Sequence, residues 1–156
     1  MGMKKEKIKR MGTSKEKIKV LVIGSGAREH TIAWKLSTSP LVGAVFVAPG
    51  NAGTRSFATN VPVSAGDIPN LLRASEHYGI DLTVVGSEVP LAAGIVDRFN
   101  HENRPIFGPT RGAARIESSK SFARDLMQRA KVPSPEFKVF KSYQEGYKFL
   151  SNHESP

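Results

Sequence analysis

Glycine follows four short apolar runs in this 156-residue chain, in the groups Gly24-Ser25-Gly26, Pro49-Gly50-Asn51-Ala52-Gly53, Gly86-Ser87-Glu88 and Gly108-Pro109-Thr110. A glycine lets a backbone amide approach a ligand with no Cβ in the way. The first group also leads directly into a helical pattern, whose free N–H groups suit a phosphate. Tight turns need glycine as well, so one such group alone would say little; four in series point to a binding rim. Glu88, between Ser87 and Pro90, is placed to hydrogen-bond a ligand hydroxyl or amine. Asn51 is a natural turn-former whose amide would face the same rim. Arg28 can assist a phosphate or sit in a salt bridge, and Glu29 suits the first turn of a helix on dipole grounds alone.

Other chemistries are excluded by the same residues. The third glycine of a dinucleotide fingerprint would fall at Glu29, and the ribose-gripping acid expected after the second strand is replaced by Ala48-Pro49-Gly50-Asn51. A nicotinamide cofactor is therefore not expected. No Gly-Lys dipeptide is present, which removes a P-loop. His30, His77, His101 and His153 form no i, i+4 pair, so no metal site is read from them. With no cysteine, a disulfide framework, a thiolate zinc site and a cysteine nucleophile are all impossible.

The elements that must position the rim alternate β-branched runs with amphipathic stretches, the pattern of a parallel sheet covered by helices. Strands are predicted at Val20–Ile23, Val42–Ala48, Leu82–Val85 and, nearer an edge because of its proline, Pro105–Phe107. Helices are predicted over Ala27–Ser37, from Asp67 and Pro69 to Gly79, and through Leu91, Ala92, Ile95, Val96 and Phe99. The fold class is α/β, a Rossmann-like open parallel sheet, in which ligands bind outside the carboxyl ends of the strands. Beyond it, Ser118 and Ser119 can cap a helix from Lys120 to Ala130 that buries Phe122, Ala123, Leu126 and Met127. Phe137–Phe140 reads as a strand, and Ser142 with Glu145 forms a capping box ahead of Tyr143, Tyr147 and Leu150. The division expected is a basic disordered tail at 1–18, a Rossmann-like domain at 19–117 and the opening of a second domain at 118–156.

Composition agrees with a folded domain, at 39% hydrophobic and 24% charged residues. Residues 1–19 hold eight basic side chains against Glu6 and Glu16, a net +6, which leaves about +3 for the remainder of a chain of formal charge +9. That remainder is too mildly basic for a nucleic-acid face, and no aromatic residues interleave with its cations. The first hydrophobic run, Val20–Ile23, is too short for a secretory signal or a membrane span. A cytoplasmic location is expected.

The runs Val20-Leu21-Val22-Ile23-Gly24-Ser25-Gly26-Ala27-Arg28-Glu29-His30 and Val47-Ala48-Pro49-Gly50-Asn51-Ala52-Gly53-Thr54 resemble the N-terminal domain of the phosphoribosylamine–glycine ligase (glycinamide ribonucleotide synthetase) family. The resemblance continues through Asp81–Ile95, Ile106–Thr110 and Ser119–Ala123, and covers Lys19 to Leu150. It implies an ATP-dependent carbon–nitrogen ligase of de novo purine biosynthesis, joining glycine to 5-phosphoribosylamine with the help of Mg2+ through a glycyl phosphate. By that likeness Gly24, Ser25 and Gly26 approach the ribose phosphate, Asn51, Gly53 and Glu88 line the sugar and amine side, and Lys120 is the first ATP-contacting lysine of an ATP-grasp region. The chain departs from the family at Ala27 and Ser118, where glycines stand, and at Ser87, where proline stands.

The resemblance also implies that the sequence stops where the ATP-grasp domain has barely begun. The chain by itself is then expected to bind the phosphoribosyl substrate without turnover, to hold neither ATP nor Mg2+ tightly, and to have a separate ATP-grasp portion as a possible partner. The alternative from another class is a non-catalytic Rossmann-like interaction module with a polyanion-binding lysine tail.

Overall fold

The computed structural model describes residues 17–153. Residues 1–16 of the tail expected at 1–18 lie outside the described residues; Ile18, the last residue of that expected tail, opens the first strand.

Five strands, β1 (Ile18–Gly24), β2 (Val42–Pro49), β3 (Thr59–Asn60), β4 (Leu82–Val85) and β5 (Ile106–Phe107), form one parallel sheet in the order β3-β2-β1-β4-β5. Side chains alternate across a strand, and β1 shows the consequence. Val20 and Val22 pack on one face with Val42, Val45, Val47 and Ala33, whereas Leu21 and Ile23 pack on the other with Leu71, Leu72, Val85, Leu91, Ile95 and Phe99. The first face is covered by helix α1 (Ala27–Ser37), through Ala33, Ile32 and Leu36. The second is covered by α2 (Ile68–His77), α3 (Glu88–Ala92) and α4 (Ile95–His101). A strand segment clothed on both sides is apolar at each position, which is why Val20–Ile23, the buried part of β1, reads as an unbroken hydrophobic run.

Chain order reverses direction across the sheet at β1: β2 and β3 lie on one side of it, β4 and β5 on the other. The loops leaving β1 and β4 therefore diverge to opposite faces. Between them opens the crevice in which ligands of such sheets are held.

Several elements differ from the sequence reading. β1 starts at Ile18 rather than Val20, because its N–H donates to Leu41 O at 2.9 Å and the next N–H to Asp81 Oδ2 at 2.9 Å. The short edge strand β3 was not anticipated; two polar residues carry no period. The helix predicted through Leu91 and Phe99 is two helices, since Gly94 takes φ +91° and breaks it. A further helix, α5 (Arg111–Ser118), was also unforeseen, and Ala114 is its one buried residue. Phe137–Phe140 is not a strand: the stretch is irregular and pairs with no strand among the described residues. β5 does lie at an edge, as Pro105 required.

The chain divides into two compact units, one ending at Ala114 and one beginning at Arg115. The second holds the end of α5, α6 (Lys120–Arg129) and α7 (Tyr143–Ser151). Ser119 and Ser142 cap α6 and α7 through their hydroxyls. Within this unit only Ala123 of the expected α6 core is fully buried, Phe122, Leu126 and Met127 being half-buried. On α7, Phe149 packs on Phe140, while Tyr143, Tyr147 and Leu150 are exposed. No helix among the described residues is long and apolar enough to cross a membrane.

Two outcomes follow for stability. Phe99 is wholly buried in the first unit, so Phe99→Ala should cost about 3–5 kcal/mol. Urea unfolding followed by the fluorescence of Trp34, the single tryptophan, reads the first unit; equal midpoints for wild type and Phe99→Ala would contradict this core. Asp67 caps α2, and its carboxyl is held below the ordinary aspartate range by the Asn70 side-chain amide at 2.6 Å and the Asn70 N–H at 3.2 Å. Desolvation opposes these bonds, and Arg73 adds a smaller lowering effect. A depressed folded-state value means this stabilisation is present above the unfolded-state pKa and disappears as pH falls through the folded one. Asp67→Asn should therefore flatten the acid limb of the melting temperature against pH, and an unchanged limb would refute the assignment.

Candidate functional site

The parallel register pairs Ile23 with Val85, so Gly24 and Gly86 leave the sheet side by side at its carboxyl edge. Gly24 has φ +134°, a conformation closed to ordinary side chains. Two residues on, Gly26 caps α1, and Glu29 reaches back from the first turn so that its Oε2 accepts the Gly26 N–H at 2.7 Å. The Glu29 carboxylate is 6% exposed and fills the space that side chains at three glycines would need. A Cβ on Gly86 would fall on Glu29 Oε1, one on Gly24 on Glu29 Cγ, and one on Gly26 would lie 2.9 Å from Oε2. The sequence reading treated Glu29 as a dipole-compatible helix residue. The structure makes it the centre of the rim.

A cleft of about 380 Å3 opens here, lined by Gly24, Ser25, Gly26, Ala27, Arg28, Glu29, Ala65, Ser87 and Glu88. Arg28 spans it, donating to Gly86 O at 2.6 Å and lying 3.8 Å from Glu88 Oε2. Both readings of Arg28 thus bear on one side chain: it is paired, and it lines the cleft. Of the residues expected to bind substrate, Gly24, Ser25, Gly26 and Glu88 are brought together.

Asn51 and Gly53 stand beside the cleft rather than in its lining. The Asn51 Nδ2 donates to Ser25 O at 2.9 Å, and its Oδ1 accepts the Thr54 N–H at 3.0 Å. The fully buried Thr54 hydroxyl accepts the Asn51 N–H at 3.0 Å and has Asn60 Oδ1 at 2.7 Å, while Asn60 Nδ2 donates to Asn51 O at 2.8 Å. This network fixes the β2 exit and ties it to the β1 exit. Gly53 leaves room for the His30 ring, whose Cε1 would be 2.7 Å from a Cβ there. The fourth glycine exit plays no part in the cleft: a Cβ on Gly108 would meet Leu91 Cδ2 at 2.9 Å, which is close packing.

Lys120 is the first residue of α6 and exposed, in the second unit. Another hollow, of about 560 Å3, lies in that unit along Gln128 and residues 131–137, and contains none of the strand-exit residues. No cluster of three or more His, Asp or Glu side chains placed to hold a metal occurs among the described residues. Ala65, from the long loop after β3, is a lining residue that no sequence signal marked. Glu29 could have been suspected from an acid placed where the Gly-x-Gly spacing asks for a third small residue.

Known proteins share this sequence and this fold. Residues 18–117 match the family described as "Phosphoribosylglycinamide synthetase, N domain". Phosphoribosylamine–glycine ligases of Salmonella typhimurium and Escherichia coli are each 48% identical over 141 residues, covering 89% of this chain and 33% of theirs. The chain thus spans about a third of the length of these curated relatives. Among solved structures, the phosphoribosylamine–glycine ligase of Thermotoga maritima superposes with a TM-score of 0.64 at 27% identity, over 88% of this chain and 31% of that one. The N5-carboxyaminoimidazole ribonucleotide synthetase of Thermus thermophilus superposes with a TM-score of 0.64 at 21% identity, over 85% of this chain and 35% of that one, a likeness of fold. Parallel sheet, glycine-lined strand exits and matched residues together place the chain in the phosphoribosylglycinamide synthetase N-domain family.

Proposed function

We propose that the first unit holds 5-phosphoribosylamine for an ATP-dependent ligation to glycine in purine biosynthesis, in the cytoplasm. The carrying observation is the convergence of Gly24–Glu29 and Ser87–Glu88 on one cleft at the point where strand order reverses. Glu88 is the exposed acceptor there, and it takes a hydrogen bond from a ribose hydroxyl or from the reacting amine. Arg28 restrains it from across the cleft, and Gly24, Ser25 and Gly26 let the substrate approach the backbone. Asn51 and Gly53 act on the substrate by shaping the rim, Asn51 through the Ser25 carbonyl and Gly53 by seating His30.

ATP, when bound, supplies the phosphoryl group that activates the glycine carboxyl, with Mg2+ assisting. Lys120 is the nucleotide contact this chain offers, and residues 118–156 are read as the opening of the ATP-grasp domain. The exposed Tyr143, Tyr147 and Leu150 form the surface that the rest of such a domain would cover. Glycine, phosphoribosylamine and ATP are the expected partners; a nucleic acid or a membrane is not.

Calorimetry with glycinamide ribonucleotide and with ribose 5-phosphate should detect binding to this chain. Glu88→Ala should weaken it by about tenfold or more, the effect of one hydrogen bond to a charged group. Absence of heat with both ligands would refute the rim assignment. Mixing the chain with the remaining two thirds of the Escherichia coli relative should yield glycine-dependent ADP release. Silence from two folded pieces would refute the ATP-grasp reading of the second unit.

A further inference from the structure

Glu29 is more than nine-tenths buried, yet only one of its carboxylate oxygens is used. Oε2 holds the Gly26 N–H; Oε1, beside Gly86, has no hydrogen-bond partner among the described residues. Nor is Oε1 sealed away, since no fully buried side-chain oxygen or nitrogen lacks a partner among these residues and Glu29 lines the cleft. A carboxylate oxygen in that setting is an acceptor waiting for a donor. Its burial strengthens whatever bond it makes and makes a missing one costly.

The charge on the lining points the same way. The helix N-terminus, a natural anion seat, already has an anion built into it in Glu29. Two acids, Glu29 and Glu88, face one base, Arg28, and that guanidinium is engaged with Gly86 O and Glu88. A phosphate entering beside α1 would meet excess negative charge. A hydroxyl or amine would meet acceptors.

We propose that Glu29 is the specificity-determining residue of this cleft: Oε1 accepts a hydrogen bond from a hydroxyl or amine of the ribosylamine end of the substrate, and the carboxylate turns the phosphate away from the start of α1. This rests on the cleft being the phosphoribosylamine site. It reverses the orientation expected from sequence, in which Gly24, Ser25 and Gly26 approach the phosphate.

The test titrates the whole 156-residue chain with ribose 5-phosphate and, separately, with inorganic phosphate, following backbone amide shifts. In wild type, ribose 5-phosphate should move the amides of Gly24 to Glu29, and inorganic phosphate at the same concentration should leave Ala27 and Arg28 unmoved. In Glu29→Gln, which keeps the side-chain shape, ribose 5-phosphate should bind about tenfold or more weakly, and inorganic phosphate should now move Ala27 and Arg28. The proposal is overturned if Glu29→Gln binds ribose 5-phosphate within about twofold of wild type. It is equally overturned if inorganic phosphate shifts those two amides of the wild type as strongly as the sugar phosphate does. That wild-type comparison decides the matter alone should Glu29→Gln fail to fold. If ribose 5-phosphate and glycinamide ribonucleotide both leave every cleft amide of the wild type unmoved, the substrate reading itself fails and this assignment falls with it, a result distinct from a variant that binds normally.

Discussion

One buried carboxylate sets the geometry of the rim. Removing a charge from water costs several kcal/mol even after relaxation, so Glu29 is tolerable only where its surroundings compensate it. Here they are the Gly26 N–H, the positive end of α1 and the residual opening of Oε1 to the cleft. Each compensation imposes a structural demand. Gly26 must cap the helix for the bond to close, and Gly24, Gly26 and Gly86 must lack side chains for the carboxylate to fit. Gly24 and Gly86 are neighbours only because β1 and β4 pair with Ile23 opposite Val85. Sheet register, helix start and cleft shape are therefore parts of one constraint.

The polar partners around that centre act by position more than by stability. Arg28 and Glu88 are both more than half exposed and 3.8 Å apart, a pair whose contribution to folding is small. The bond from Arg28 to the Gly86 carbonyl nevertheless links the β1 and β4 exits across the cleft. On the other side, Asn51, Thr54 and Asn60 do the same for the β1 and β2 exits, with a buried hydroxyl whose single proton serves one of two nearby oxygens. Three strand ends are in this way tied to one another by hydrogen bonds at the rim.

What could be read from sequence follows from where each signal originates. The alternation of Val20 and Val22 against Leu21 and Ile23 reflects burial on two faces, and burial is written in residue type; the parallel sheet and its covering helices were legible for that reason. Thr59 and Asn60 pair by backbone alone, so β3 left no trace. Phe137, Val139 and Phe140 have the composition of a strand but pair with no strand among the described residues, and pairing is not a local property. Gly94 did carry a signal, a glycine inside a helical pattern, which the apolar spacing around it outweighed. At the site, glycine and Glu88 positions were visible as types at strand exits. The inward turn of Glu29 was not, because it depends on Gly86, far away in sequence, leaving a space of the right size.

The fold by itself does not decide what the cleft accepts, since a structure 21% identical shares it with a TM-score of 0.64. The core beneath the rim, Leu21, Ile23, Val85, Leu91 and Phe99, is hydrophobic packing that any polar lining above it would leave intact. Discrimination must then come from the few groups that reach the cleft, and these are a carboxylate pair, one committed guanidinium and small residues. Such a set favours donors over acceptors and neutral or cationic groups over anions. A sugar phosphate has both kinds of end; under the proposed function such a lining would admit the sugar end, and the phosphate would have to be met by cations from outside the cleft.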